Sequence, residues 1–138
     1  MTLPSKLGED VVVTTSSKVL VVDDHHDGAE TLGEFLSSLG CQVLLAHSGE
    51  EALEVAPRFQ PDLVILDIQM PGINGLETAK RLRAQDWAKR ATFATHSGSP
   101  DPAIADLSKD AGCKHHIPKP ATGAVFEAIL KQVRAGEC

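Results

Sequence analysis

Cysteine is scarce and unpatterned in this chain: Cys41, Cys113 and Cys138 are an odd number, widely spaced, with no C-x-x-C pair. Such spacing suggests neither a disulfide framework nor a zinc knuckle and fits a reducing compartment. Positive charge is in deficit too, because 13 Lys and Arg face 19 Asp and Glu, for a formal net charge of −6 at pH 7 and an isoelectric point near 5.4. A phosphate-backbone footprint normally shows as a basic face, so direct nucleic-acid binding is not expected. Long apolar runs are missing as well: none approaches the roughly 20 residues of a membrane span. Met1 to Ser17 lacks the basic start and long apolar core of a secretory signal. A cytoplasmic location with no membrane contact is the expectation.

What is present is enough for one domain. The chain has 138 residues, of which 42% are hydrophobic, sufficient for a single packed core. Residues 1 to 17 carry Pro4, Gly8 and a Thr-Thr-Ser-Ser stretch and read as a flexible leader; 136 to 138 read as a short tail, leaving 18 to 135 as the folded domain. From Lys18 the pattern becomes regular. Val19 to Val22 is a continuous apolar run of the kind buried on both faces of a sheet, and it ends abruptly in Asp23 and Asp24. Leu32, Phe35, Leu36 and Leu39 then recur at helical spacing, with Gly40 where a helix C-terminal glycine belongs.

The unit repeats. Val43 to Ala46 predicts a second strand, and Ser48 with Glu51 three residues on predicts a capped helix start. Leu63 to Leu66 predicts a third strand ending at Asp67, and Leu76, Ala79 and Leu82 mark a helix after the Pro71 to Gly75 turn. Ala91 to His96 is a more polar fourth strand, interrupted by Thr92, Thr95 and His96. A helix over 102 to 111, a strand over 115 to 117 and a last helix over 122 to 133 complete the set. Alternation of this kind predicts an α/β fold with a parallel sheet covered on both faces, whose ligands bind at the carboxyl ends of the strands.

Polar residues stand where that rule demands them. Asp23 and Asp24 follow strand one, Asp67 strand three, Ser97 strand four and Lys119 strand five. Three carboxylates crowded at one edge repel each other unless a cation neutralises them, and a hard divalent ion such as Mg²⁺ suits oxygen ligands of this kind. A carboxylate beside a cation and an ammonium group can act as nucleophile toward phosphorus, forming an acyl phosphate. Asp67, Lys119 and the Ser97 hydroxyl supply that set.

The segments Lys-Val-Leu-Val-Val-Asp-Asp (18 to 24), Leu-Asp-Ile-Gln-Met-Pro-Gly-Ile-Asn-Gly (66 to 75), Ser97-Gly98 and Lys119-Pro120 after Ala111-Gly112 occur in the order found in bacterial two-component receiver domains. The resemblance covers about residues 18 to 135, and Asp-Trp-Ala-Lys-Arg (86 to 90) with His115-His116 is most similar to receivers associated with hybrid histidine kinases. It implies a flavodoxin-like (βα)5 fold with strand order 2-1-3-4-5 and a phosphorylation-dependent switch in a phosphorelay. A histidine kinase or histidine phosphotransfer protein would be the phosphoryl donor, and a downstream protein the target. Asp67 would be the phosphoacceptor, with Mg²⁺ on Asp23, Asp24, Asp67 and the Ile68 backbone carbonyl, and Lys119 paired with the phosphoryl group. Ser97 and His116 would be the switch pair reporting to the face formed by helix four, strand five and helix five. The Lys119-Pro120 bond would be cis.

Other readings of the residues remain. A shift of one pleat makes Thr95 the switch hydroxyl instead of Ser97, and a receiver that only docks partners and is never phosphorylated would keep the same fold. A phosphomonoester hydrolase needs a second acid two residues past the nucleophile, where Gln69 stands, so a signalling domain is expected and not an enzyme. Strand one runs into Asp-Asp-His-His-Asp and not into a glycine-rich phosphate loop, which argues against a nucleotide site. His25-His26 and His115-His116 are adjacent pairs whose neighbours face opposite ways, so neither pair forms a chelating set. Asp62 and Glu77 read as solvated charges and Trp87 as packing at a helix end.

Overall fold

The computed structural model describes residues 17–135. The expected leader, Ser17 excepted, and the tail at 136–138 lie outside the described residues. Five strands alternate with five helices: β1 (Lys18–Val22), α1 (His26–Ser38), β2 (Gln42–Ala46), α2 (Gly49–Phe59), β3 (Leu63–Leu66), α3 (Gly75–Arg83), β4 (Thr92–Ser97), α4 (Ala103–Asp110), β5 (His115–Pro118) and α5 (Gly123–Arg134). All pairings are parallel and the order is β2-β1-β3-β4-β5, as the resemblance implied. A 3₁₀ turn, Asp86–Arg90, precedes β4.

Strand composition explains the layers. In β1 and β3 every apolar side chain is buried, because alternate residues go to opposite faces and both faces are covered. Leu20, Val22, Val64, Leu66 and Phe93 face α2 and α3 through Ala52, Ala56, Ala79 and Leu82. Val19, Val21, Leu63, Ile65 and Ile117 face α1 and α5 through Ala29, Leu36, Phe126 and Leu130. Edge strand β2 is only half-buried at Val43 to Leu45, as an edge position dictates.

Local signals behave largely as read. Gly40 follows α1 at φ 93°, the left-handed conformation that ends a helix cheaply only with glycine. Ser48 Oγ accepts the Glu51 N–H at 3.0 Å, but the Glu51 carboxylate accepts the His47 N–H at 2.7 Å, one residue before the position a capping box reaches. Asp62 is not a merely solvated charge: its carboxylate accepts the Lys18 N–H at 2.8 Å and ties the start of β1 to β3. Glu77 is half-exposed and pairs with Arg81 at 2.9 Å across one helical turn. Trp87 packs on the core beside Phe93. β4 runs one residue further than expected, so Ser97 is its last residue, paired with Pro118, with its carbonyl accepting the Lys119 N–H at 2.8 Å.

Candidate functional site

Strand register decides which side chains meet at the carboxyl edge. Val22 pairs with Leu66, so Asp23 and Asp67 leave adjacent strands at the same level. Their backbones stay in the ladder for one more step, Asp23 N–H to Ala46 and Asp67 N–H to Val22. Both carboxylates are buried, at 7% and 5% exposure, whereas Asp24 is half-buried. Lys119 arrives from the end of β5 next to Pro120, and the Lys119-Pro120 bond is cis, as the resemblance implied.

The oxygens of this cluster divide into two sides. Lys119 Nζ stands 3.2 Å from Asp23 Oδ2 and 3.7 Å from Asp67 Oδ1. On the other side lie Asp23 Oδ1, Asp24 Oδ1 and Asp67 Oδ2, with His25 Nδ1 at 3.2, 3.3 and 3.8 Å from them. Burial pushes the Asp67 carboxyl up from the ordinary carboxylate range, against the lowering pull of Lys119, and the Asp23 charge adds to the rise. Burial acts upward on Asp23 as well, yet the His25 backbone N–H and the Lys119 ammonium together hold it below the ordinary value.

The donor set fits a hard divalent cation. One Oδ1 of Asp24 is buried and accepts no hydrogen bond, a costly state for a carboxylate oxygen unless a cation takes it up. Three carboxylates, together with His25, place one ligand atom each within 4.8 Å of one another. The Ile68 carbonyl, expected to complete the set, accepts the Gly75 N–H at 2.8 Å and can offer only its second lone pair.

Ser97 is buried at the end of β4, where its hydroxyl accepts the Ser99 N–H at 3.1 Å. Thr95, on the same face one pleat below, is engaged elsewhere: its Oγ1 donates to Ser108 Oγ of α4 at 2.7 Å and lies 2.9 Å from His116 Nδ1 of β5. Burial pushes the half-buried His116 imidazole below its ordinary range. His25 was missed in the sequence as a member of the acidic site. Alternation separates it from His26, which stacks on His47 at 3.8 Å, but alternation also turns the His25 ring toward the carboxylates.

A flavodoxin-like sheet of order 2-1-3-4-5 with an acidic cluster and a lysine at its carboxyl edge defines a class of small α/β signalling switches. Within that class, residues 19–131 match the family model for the response regulator receiver domain, and the chain belongs to that family. It is 38% identical over 120 residues to the response regulator MprA of Mycobacterium ulcerans and 36% identical over 118 residues to that of Mycobacterium leprae. These alignments take in 87% and 86% of this chain; it spans about half the length of the curated relatives, 50% in both cases. Among solved structures, a putative response regulator from Chloroflexus aurantiacus superposes with a TM-score of 0.81 at 30% identity, covering 88% of this chain and 99% of that one. The chemotaxis protein CheY4 of Vibrio cholerae gives 0.80 at 28%, covering 86% and 99%. The finer likeness to receivers of hybrid kinases rests on the sequence segments alone.

Proposed function

We propose that this receiver domain is a phosphorylation-dependent switch of a cytoplasmic phosphorelay, with Asp67 as phosphoacceptor. The observation that carries the reading is the two-sided carboxylate cluster. Lys119 holds one oxygen each of Asp23 and Asp67, and a second face of three carboxylate oxygens is left for a cation. Asp23, Asp24 and Asp67 would hold Mg²⁺ there, with the spare lone pair of the Ile68 carbonyl as a further donor; the ion would supply neutralisation of the phosphoryl oxygens.

An oxygen of Asp67 attacks the phosphorus of a phosphohistidine on a kinase or phosphotransfer partner. The new O–P bond forms as the P–N bond breaks, and its electron pair returns to the departing imidazole. Lys119 lies 3.7 Å from Asp67 and is placed to pair with the transferred group. The elevated Asp67 carboxyl gains from that arrangement, because burial and the Asp23 charge disfavour a bare anion and so favour a state in which cations surround it. A groove of about 660 Å³ between α1 and α5, with Leu32, Phe35 and Phe126 in its wall, opens beside Asp23 and Lys119 and offers the donor a place to seat.

Ser97 would turn its hydroxyl toward the phosphoryl group and His116 would respond on β5, changing the α4-β5-α5 face toward a downstream protein. Intact mass after incubation with Mg²⁺ and acetyl phosphate tests the centre of this reading: one phosphoryl group is expected on the wild type and none on Asp67→Asn. An unlabelled wild type would instead favour a docking domain that is never phosphorylated.

A further inference from the structure

We propose that His25 is a direct cation ligand and that it biases this site toward borderline divalent cations such as Co²⁺ and Ni²⁺ over Mg²⁺. The inference rests on the cation site described above and concerns which ion it prefers. In octahedral coordination at about 2.1 Å, adjacent ligand atoms lie about 3.0 Å apart and opposite ones about 4.2 Å. His25 Nδ1 stands 3.2, 3.3 and 3.8 Å from the three carboxylate oxygens on the side away from Lys119, all inside that span. Nδ1 is thus at ligand-to-ligand spacing from all three oxygens.

The local backbone enforces this placement. The His25 N–H donates to Asp23 Oδ1 at 2.9 Å, so residue and carboxylate form one short loop that brings the ring back over the acidic edge. His25 is also the residue just before α1, where its side chain caps nothing. Replacing an oxygen donor by an imidazole nitrogen changes the selectivity in a known direction. Mg²⁺ gains little from nitrogen, whereas Co²⁺ and Ni²⁺ gain much.

Calorimetric titration of Mg²⁺ and Co²⁺ into the wild type, His25→Ala and Asp23→Asn tests the proposal, together with electron spin echo spectroscopy of the Mn²⁺ complexes. The side chain is 71% exposed and the backbone N–H bond to Asp23 survives the change, so His25→Ala should fold normally. Its Co²⁺ affinity should fall by at least about tenfold, the lower end of what even outer partners of a metal cost. Its Mg²⁺ affinity should change far less. The wild-type Mn²⁺ complex should show nitrogen coupling that His25→Ala lacks. Equal losses for both cations, equal gains for both, or no nitrogen coupling in the wild type would overturn the assignment. A wild type that binds neither cation, or an Asp23→Asn variant that binds both unchanged, would defeat the cation site itself; Mg²⁺ binding with no Co²⁺ effect of His25→Ala would defeat only the role of His25.

Discussion

Gly75 sits where no side chain can go. A β-carbon there would lie 2.0 Å from the Asp67 carbonyl oxygen and 2.9 Å from Ile68 Cα, because the loop after β3 turns back so that the Gly75 N–H can bond Ile68. Backbone cannot yield as a flexible side chain can. Gly75→Ala is therefore expected to cost about 2 to 3 kcal/mol, in the range of overpacked cores, and to slow labelling of Asp67 as the loop shifts. Urea denaturation with unchanged slope, alongside the acetyl phosphate assay, measures both. Single positions were also where the sequence was most and least legible. Asp23, Asp67 and Lys119 stood out because each directly follows or ends a strand, and register then brings them together. His25 and Asp62 did not, because their roles depend on what faces them: the carboxylates that follow β1 and β3 for one, the backbone of β1 for the other.

Between elements, the polar character of β4 finds its reason. Thr95 looked like an interruption of an apolar strand, yet its hydroxyl joins α4, β4 and β5 through Ser108 and His116. With its proton given to Ser108, Thr95 accepts from His116 Nδ1–H, so both partners depend on it. Thr95→Val keeps the shape, removes the hydroxyl and leaves a buried Ser108 with one partner fewer, for an expected loss of about 1 to 2 kcal/mol. The same register frames the switch. If Ser97 links the phosphoryl group to this layer, Ser97→Ala should still bind beryllofluoride but lose the distant NMR shifts at His116 and α4. Thr95→Val should keep shifts near Asp67 while altering the resting position of His116. Full shifts at His116 in Ser97→Ala would pass the switch role to Thr95. The helices and strands themselves were legible from period and capping, and the 3₁₀ turn over Asp86–Arg90 was not, since Trp87 and Ala88 are drawn in by the core beneath them.

At the scale of the whole molecule, the two-layer cover of the sheet was readable from continuous apolar strands, but the half-burial of His96 was not. Its ring lies on the α1 and α5 face, edge-on to Phe126 at 5.4 Å, and its Nε2 is buried without a hydrogen bond. Burial pushes this imidazole down to about 4, with the Lys119 and His116 charges acting the same way and Asp23 opposing. The folded protein thus holds His96 neutral where the unfolded chain, with a value near 6.5, begins to take up a proton. Between those values the unfolded state binds more protons, so stability is complete above about pH 6.5 and falls as the pH drops toward about 4. Other groups act in acid too: His115 and His116, pushed down by burial, act in the same sense as His96, and two carboxylates also contribute. Asp23, held low, contributes stability that is lost only below its ordinary range, while Asp67, raised, is protonated first in the folded state and works in the opposite sense. Comparing the wild type with His96→Leu isolates His96, since the other groups are common to the pair. Chemical denaturation from pH 7.5 to 4.5 should show the wild type losing up to roughly 2 to 3 kcal/mol relative to His96→Leu, with most of the divergence below pH 6.5. Parallel curves for the two proteins would mean that His96 is protonated in the fold as easily as out of it, and that the α1 and α5 layer is wetter than its packing implies.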